Sequence, residues 1–128
     1  MSKSAEQYVE KQMKRILSLY DDKRVELEKA IADGRSIAYM IRWSNVILHF
    51  EEKAARLTRI INGAEKTGDL LAAIKLELSI CTDQLLTDYY RSGSTCQLAN
   101  AVEAEKRAAV CDLITSMKEW VRDLESDG

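Results

Sequence analysis

Proline is absent from all 128 residues, so the strongest interior helix breaker is missing and nothing forbids long helices. Histidine occurs once, at His49, which excludes histidine pairs and histidine-rich metal sites. Cysteine is scarce: Cys81, Cys96 and Cys111 make an odd set with no CxxC pair, so neither a disulfide framework nor a zinc site is expected. Cys81 falls in an apolar stripe as a small core residue. Cys96 stands near an expected helix start, where the dipole favours a thiolate. No apolar run approaches the roughly 18 residues of a membrane span. The opening Met1-Ser2-Lys3-Ser4-Ala5-Glu6-Gln7 lacks the apolar stretch of a signal peptide. These absences lead to the expectation of a soluble, cytoplasmic protein with no membrane partner, no cofactor and no metal. An excess of one charge is lacking too: 19 basic against 21 acidic residues leave −2, without the large field of a dedicated polyanion binder.

What is present is helical. The chain is 46% hydrophobic and 31% charged, the composition of an ordered domain, and residues 1–128 suit a single one. The few glycines punctuate it. Gly34, Gly63 and Gly93 each follow a long amphipathic run, where a helix needs a left-handed closing residue. Ser36, Ser4 with Gln7, and Ser94 with Gln97 offer start signals. Helices are thus expected over residues 4–33, 36–62, 68–91 and 95–125. The apolar residues recur with helical rhythm: Met40, Trp43, Ile47, Phe50, Ala54, Leu57 and Ile61 in the second segment. Leu71, Ile74, Leu78, Cys81, Leu85 and Tyr89 do so in the third, and Val110, Leu113, Met117, Trp120 and Leu124 in the fourth. The first carries Val9, Met13, Ile16 and Tyr20, then Leu27 and Ala30. Short links force neighbours antiparallel, which predicts an all-α, up-down-up-down four-helix bundle. Helical hairpins that complete a bundle by dimerisation satisfy the same pattern.

The second segment departs from a simple bundle helix. Beside its seam it carries Ile37, Ile41 and Leu48 on one side, with Tyr39 and Val46 widening the other edge. Only Arg42, Asn45, His49, Glu52 and Arg56 make a polar face. A helix with that much apolar circumference buries more than one surface, which points to self-association or a protein partner. Ile37, Tyr39, Ile41, Trp43 and Leu48 are the candidate partner-binding residues. The fourth segment is the opposite: Ala99, Ala101, Ala104, Ala108 and Ala109 make its first half narrow, suited to close packing or to seating a partner helix.

Chemistry is poorly supplied. No nucleophile motif or glycine-rich phosphate loop occurs. A di-iron helix pair needs Glu three residues before His, and that place is Val46. His49, followed by Phe50, resembles the phosphoacceptor of histidine phosphotransfer domains, which would imply a four-helix bundle passing a phosphoryl group to an aspartate. Those domains usually carry lysine at i+3 and a small residue at i+4, where this chain has Glu52 and Lys53. Glu51-Glu52 with Glu65 and Asp69 resembles the carboxylate pattern of MazG-type nucleotide pyrophosphohydrolases, implying Mg²⁺-dependent hydrolysis. The third glutamate of that pattern would fall on Ala55. The basic clusters Lys11-Lys14-Arg15 and Lys53-Arg56-Arg59 are interleaved with carboxylates, so nucleic acid is not an expected partner. The leading expectation is a non-enzymatic helical interaction protein: an adaptor, small chaperone, inhibitor or assembly subunit.

Overall fold

The computed structural model describes residues 3–90 and 97–126. Four helices carry the chain: α1 (Lys3–Ala32), α2 (Ile37–Thr67), α3 (Leu70–Tyr90) and α4 (Gln97–Ser126). Contacts between them fix their directions. Lys23 of α1 lies over Trp43, near the start of α2. Gly63 of α2 faces Ala73 at the start of α3, and Lys75 of α3 pairs with Glu125 at the end of α4. Successive helices therefore run in opposite directions, as expected of an all-α four-helix bundle. The helices do not close a square: α2, α3 and α4 pack on one another, α1 packs on α2, and α1 meets α4 only weakly.

Local chemistry sets most helix boundaries. Gly34 follows α1 with a φ of 70°, the left-handed geometry its lack of Cβ permits. Ser36 caps α2: its Oγ accepts from the Tyr39 amide at 3.2 Å. Asp69 does the same for α3, accepting from the Ala72 amide at 3.0 Å. Ser4 is no cap; it lies inside α1. Gly63 does not stop α2 either, because the helix runs through it and closes at Gly68, which has the left-handed φ of 71°. Gly63 instead lets α3 come close, since a Cβ there would sit 3.7 Å from the Ala73 Cβ. Gly93, Ser94 and Cys96 lie outside the described residues, as do the side chains of Tyr89 and Ala99.

The core occupies one end. Val9, Met13, Leu57, Ile60, Leu70, Ile74, Cys81, Val110, Leu113, Met117, Trp120 and Leu124 form one buried cluster. They come from the start of α1, the second half of α2, α3, and the second half of α4. Side chains as completely enclosed as Met13, Leu57 and Met117 each contribute roughly 1.5–3 kcal/mol. At the opposite end the α1–α2 hairpin is held by smaller contributions, with Ala30, Ile47, Ala54 and Ala109 buried and Trp43 and Phe50 half-buried.

Candidate functional site

Part of the polar face of α2 is covered: Arg56 is buried and Asn45, His49 and Glu52 are half-buried, while Arg42 stays exposed. Because it packs on three helices, the sides flanking its apolar seam are covered as well. Arg56 is only 4% exposed and lies against α3, where Glu77 is 2% exposed. Arg56 Nη1 donates to Glu77 Oε1 at 3.2 Å and to Cys81 Sγ at 3.4 Å; its Nε donates to Glu52 Oε1 at 3.1 Å, and Nη2 reaches Gln84 Oε1. Arg59 Nη2 adds a second bond to Glu77 Oε1 at 2.8 Å. Among the described residues no buried side-chain nitrogen or oxygen lacks a hydrogen bond. Burial pulls the Arg56 guanidinium down, but the electrostatic contributions of Cys81 and Glu52 and the hydrogen bonds to Glu52 and Glu77 outweigh it, and its pKa is raised. Burial pushes the Cys81 thiol up, with Glu77 adding and Arg56 opposing. This cysteine is therefore a protonated core group, not a nucleophile. Periodicity alone carried a hint of Glu77, which stands on the Ile74–Cys81 stripe three residues after Ile74.

His49 does not stand on an open polar face. Its side chain is 17% exposed and wedged between α2 and α4, with Nδ1 3.6 Å from Glu105 Oε2 and Nε2 3.2 Å from Asp112 Oδ2. Lys53 Nζ shares Asp112 Oδ2 at 3.4 Å, and Phe50 meets the imidazole edge-on. Both ring nitrogens thus face carboxylates, which repel an incoming phosphoryl group. The carboxylates of the hydrolase-like pattern do not gather. Glu51 is exposed, Glu52 pairs with Arg56, Glu65 lies in the last turns of α2, and Asp69 caps α3. Among the described residues no group of three histidines, cysteines or acids could hold a metal ion.

The apolar candidates separate onto two sides of α2. Ile37 is 73% exposed and Ile41 54%, while Leu48, on the same side, is half-buried. Residues two apart on a helix point about 200° from one another, so Tyr39 and Trp43 lie on the far side from Ile41. There Tyr39 and Trp43 stack at 6.2 Å, with Arg35 over the tyrosine at 5.4 Å and Lys23 over the tryptophan at 5.0 Å. α3 adds exposed apolar residues that the α2 pattern did not anticipate, Leu76, Ile80 and Leu86. The pairing of α2 with α3 explains why Ile37 and Ile41 stay open. Gly63 meets Ala73 and Arg56 meets Cys81, so the last described residue of α3, Tyr90, stands level with about Ile47, and the start of α2 runs roughly 15 Å beyond it. Among the described residues no helix is long and apolar enough to cross a membrane. No protein-family model, curated protein or solved structure matches this chain.

Proposed function

We propose that this protein is a non-enzymatic helical interaction module that docks a second copy of itself through the outer face of α2 and α3. The observation that carries the proposal is the exposure of Ile37 and Ile41 on a helix that buries Arg56. Solubility alone would place Arg56 outside and Ile41 inside. Area supports a second copy as the occupant. With roughly 180 Å² for an uncovered Ile or Leu, Ile37 and Ile41 expose on the order of 230 Å², and Leu76, Ile80 and Leu86 of α3 add on the order of 280 Å² farther along the bundle, Leu76 level with about Ile60 of α2. A standard interface buries about 800 Å² per partner, about 60% of it apolar, which is the apolar area of the two together. Ile37, Ile41 and Leu48 also recur at spacings of four and seven, the rhythm of two helices packed at a shallow angle.

Sedimentation equilibrium tests it. The unaltered chain is expected at twice its own mass at micromolar concentration, and Ile37→Glu with Ile41→Glu is expected to sediment as a folded monomer with unchanged helical circular dichroism. A wild-type monomer at the same concentration overturns self-docking and leaves the face to a different protein. A dimer indifferent to both substitutions overturns it as well.

A further inference from the structure

The other side of the same half of α2 forms a groove. Two open clefts line it, of about 330 and 530 Å³. The first is bounded by Lys23, Tyr39, Arg42, Trp43 and Val46. The second shares Arg42 and Val46 and continues past Asn45, His49, Phe50 and Lys53 to Glu105 and Asp112 of α4. Together they make one channel between α1 and α4, floored by α2 from residue 39 to 53, about 21 Å or four helical turns. It exists because α1 and α4 barely touch.

The charge along this channel is uneven. At the α4 wall, Glu105 and Asp112 are already engaged by His49 and Lys53. At the α1 end the cations Lys23, Arg35 and Arg42 stand together, two of them over aromatic rings, and among the described residues Arg42 has no carboxylate partner. From this we infer that the α1–α2–α4 groove binds an acidic amphipathic helix of a partner protein. Its apolar side would rest on Tyr39, Trp43, Val46 and Phe50, and its carboxylates would meet Arg42 and Lys23. Single-stranded nucleic acid fits less well. A strand along the channel would carry phosphodiesters past the Glu105 and Asp112 wall, whereas a helix can keep its carboxylates at the Lys23 and Arg42 end.

The inference is independent of self-docking, which uses the opposite side of α2. The probe is a fluorescein-labelled four-turn peptide with leucines at helical spacing flanked by glutamates, read by fluorescence anisotropy, beside a peptide with lysines for the glutamates. The glutamate peptide is expected to bind at least about tenfold more tightly than the lysine peptide, and its affinity to fall as salt rises. Arg42→Glu and Lys23→Glu are each expected to weaken it about tenfold. Arg42 is exposed, so its substitution leaves the fold intact, which circular dichroism checks. Ile37→Glu with Ile41→Glu is expected to bind the peptide as the wild type does, even where it abolishes the dimer. Equal affinity for the two peptides, no binding of the glutamate peptide, or wild-type binding by Arg42→Glu and Lys23→Glu together overturns the inference. Tighter binding of an oligodeoxythymidine assigns the groove to nucleic acid and overturns it too.

Discussion

Replacing Arg56 by methionine keeps the aliphatic stem and removes the charge on which four polar groups converge. Arg56 is 4% exposed and Glu77 2%, so the carboxylate left behind cannot recover its partner from water. Breaking a buried pair on one side costs about 3–5 kcal/mol. Here the loss is smaller, because Arg59 still reaches Glu77 at 2.8 Å and Glu52, with 23% of its side chain exposed, turns to solvent. About 2–3 kcal/mol remains. A chain of 128 residues unfolds with an entropy of about 0.27 kcal/mol per degree, so the midpoint should fall by about 7–11 °C. Thermal and urea unfolding followed by circular dichroism measures it, at one fixed protein concentration because any dimer shifts the midpoint by mass action. The double substitution Arg56→Met with Glu77→Leu removes both charges and returns Arg59, already 55% exposed, to water. It should come back to within about 1 kcal/mol of the wild type. An Arg56→Met protein as stable as the parent, or a double variant as weak as the sum of its singles, would refute the view that Arg56 neutralises a buried acid.

Two further outcomes follow from the same geometry. Cys111 is exposed and should react rapidly with a thiol reagent at mildly alkaline pH, while Cys81 reacts only on unfolding. Since the folded Cys81 pKa lies above its unfolded value of 9.0, its contribution to stability is complete below that pH and is lost as pH rises through the folded value; Cys81→Ala should flatten this alkaline decline in urea titrations. The two glycines of α2 should respond oppositely. Gly63→Ala is expected to raise stability by about 0.5–1 kcal/mol, since it stiffens a helix interior and its Cβ meets Ala73 at an ordinary 3.7 Å. Gly68→Ala is expected to lower it by about 1 kcal/mol because its φ is 71°. Equal effects at the two sites would contradict the helix boundary.

The seam residues were legible from spacing alone. Of Met40, Trp43, Ile47, Phe50, Ala54, Leu57 and Ile61, each is buried or half-buried, and the five large residues of the α4 stripe are all in the core. Periodicity reports where apolar residues point, which is enough to orient each helix. It does not report how many neighbours a helix has. A helix at the edge of a square bundle keeps one polar side in water, and Arg56, Glu52 and His49 read that way. Where α2 packs on three helices that side is covered in part, and its partners sit far along the chain: Glu77 is 21 residues from Arg56, and Asp112 is 59 from Lys53. Gly63 is ambiguous in the sequence for a related reason. A glycine after an amphipathic run suits both a helix stop and a close approach, and only the position of Ala73 distinguishes them.

The buried core and the proposed docking surfaces lie at different ends of α2. Every member of the buried core cluster on that helix lies at Leu57 or beyond, and the Arg56 network sits beside it. The end that carries Ile37, Ile41, Tyr39, Trp43 and Arg42 contributes little to that cluster. It is held by the hairpin with α1, the Ser36 cap and the His49 and Lys53 contacts to α4. Substitutions at the hairpin end should therefore change association with small changes in unfolding, whereas those near Arg56 should do the reverse. The separation has a physical basis. Apolar groups left exposed add nothing to the isolated subunit, so the fold must be secured elsewhere. α2 is long enough, at 31 residues, to place the two at different ends.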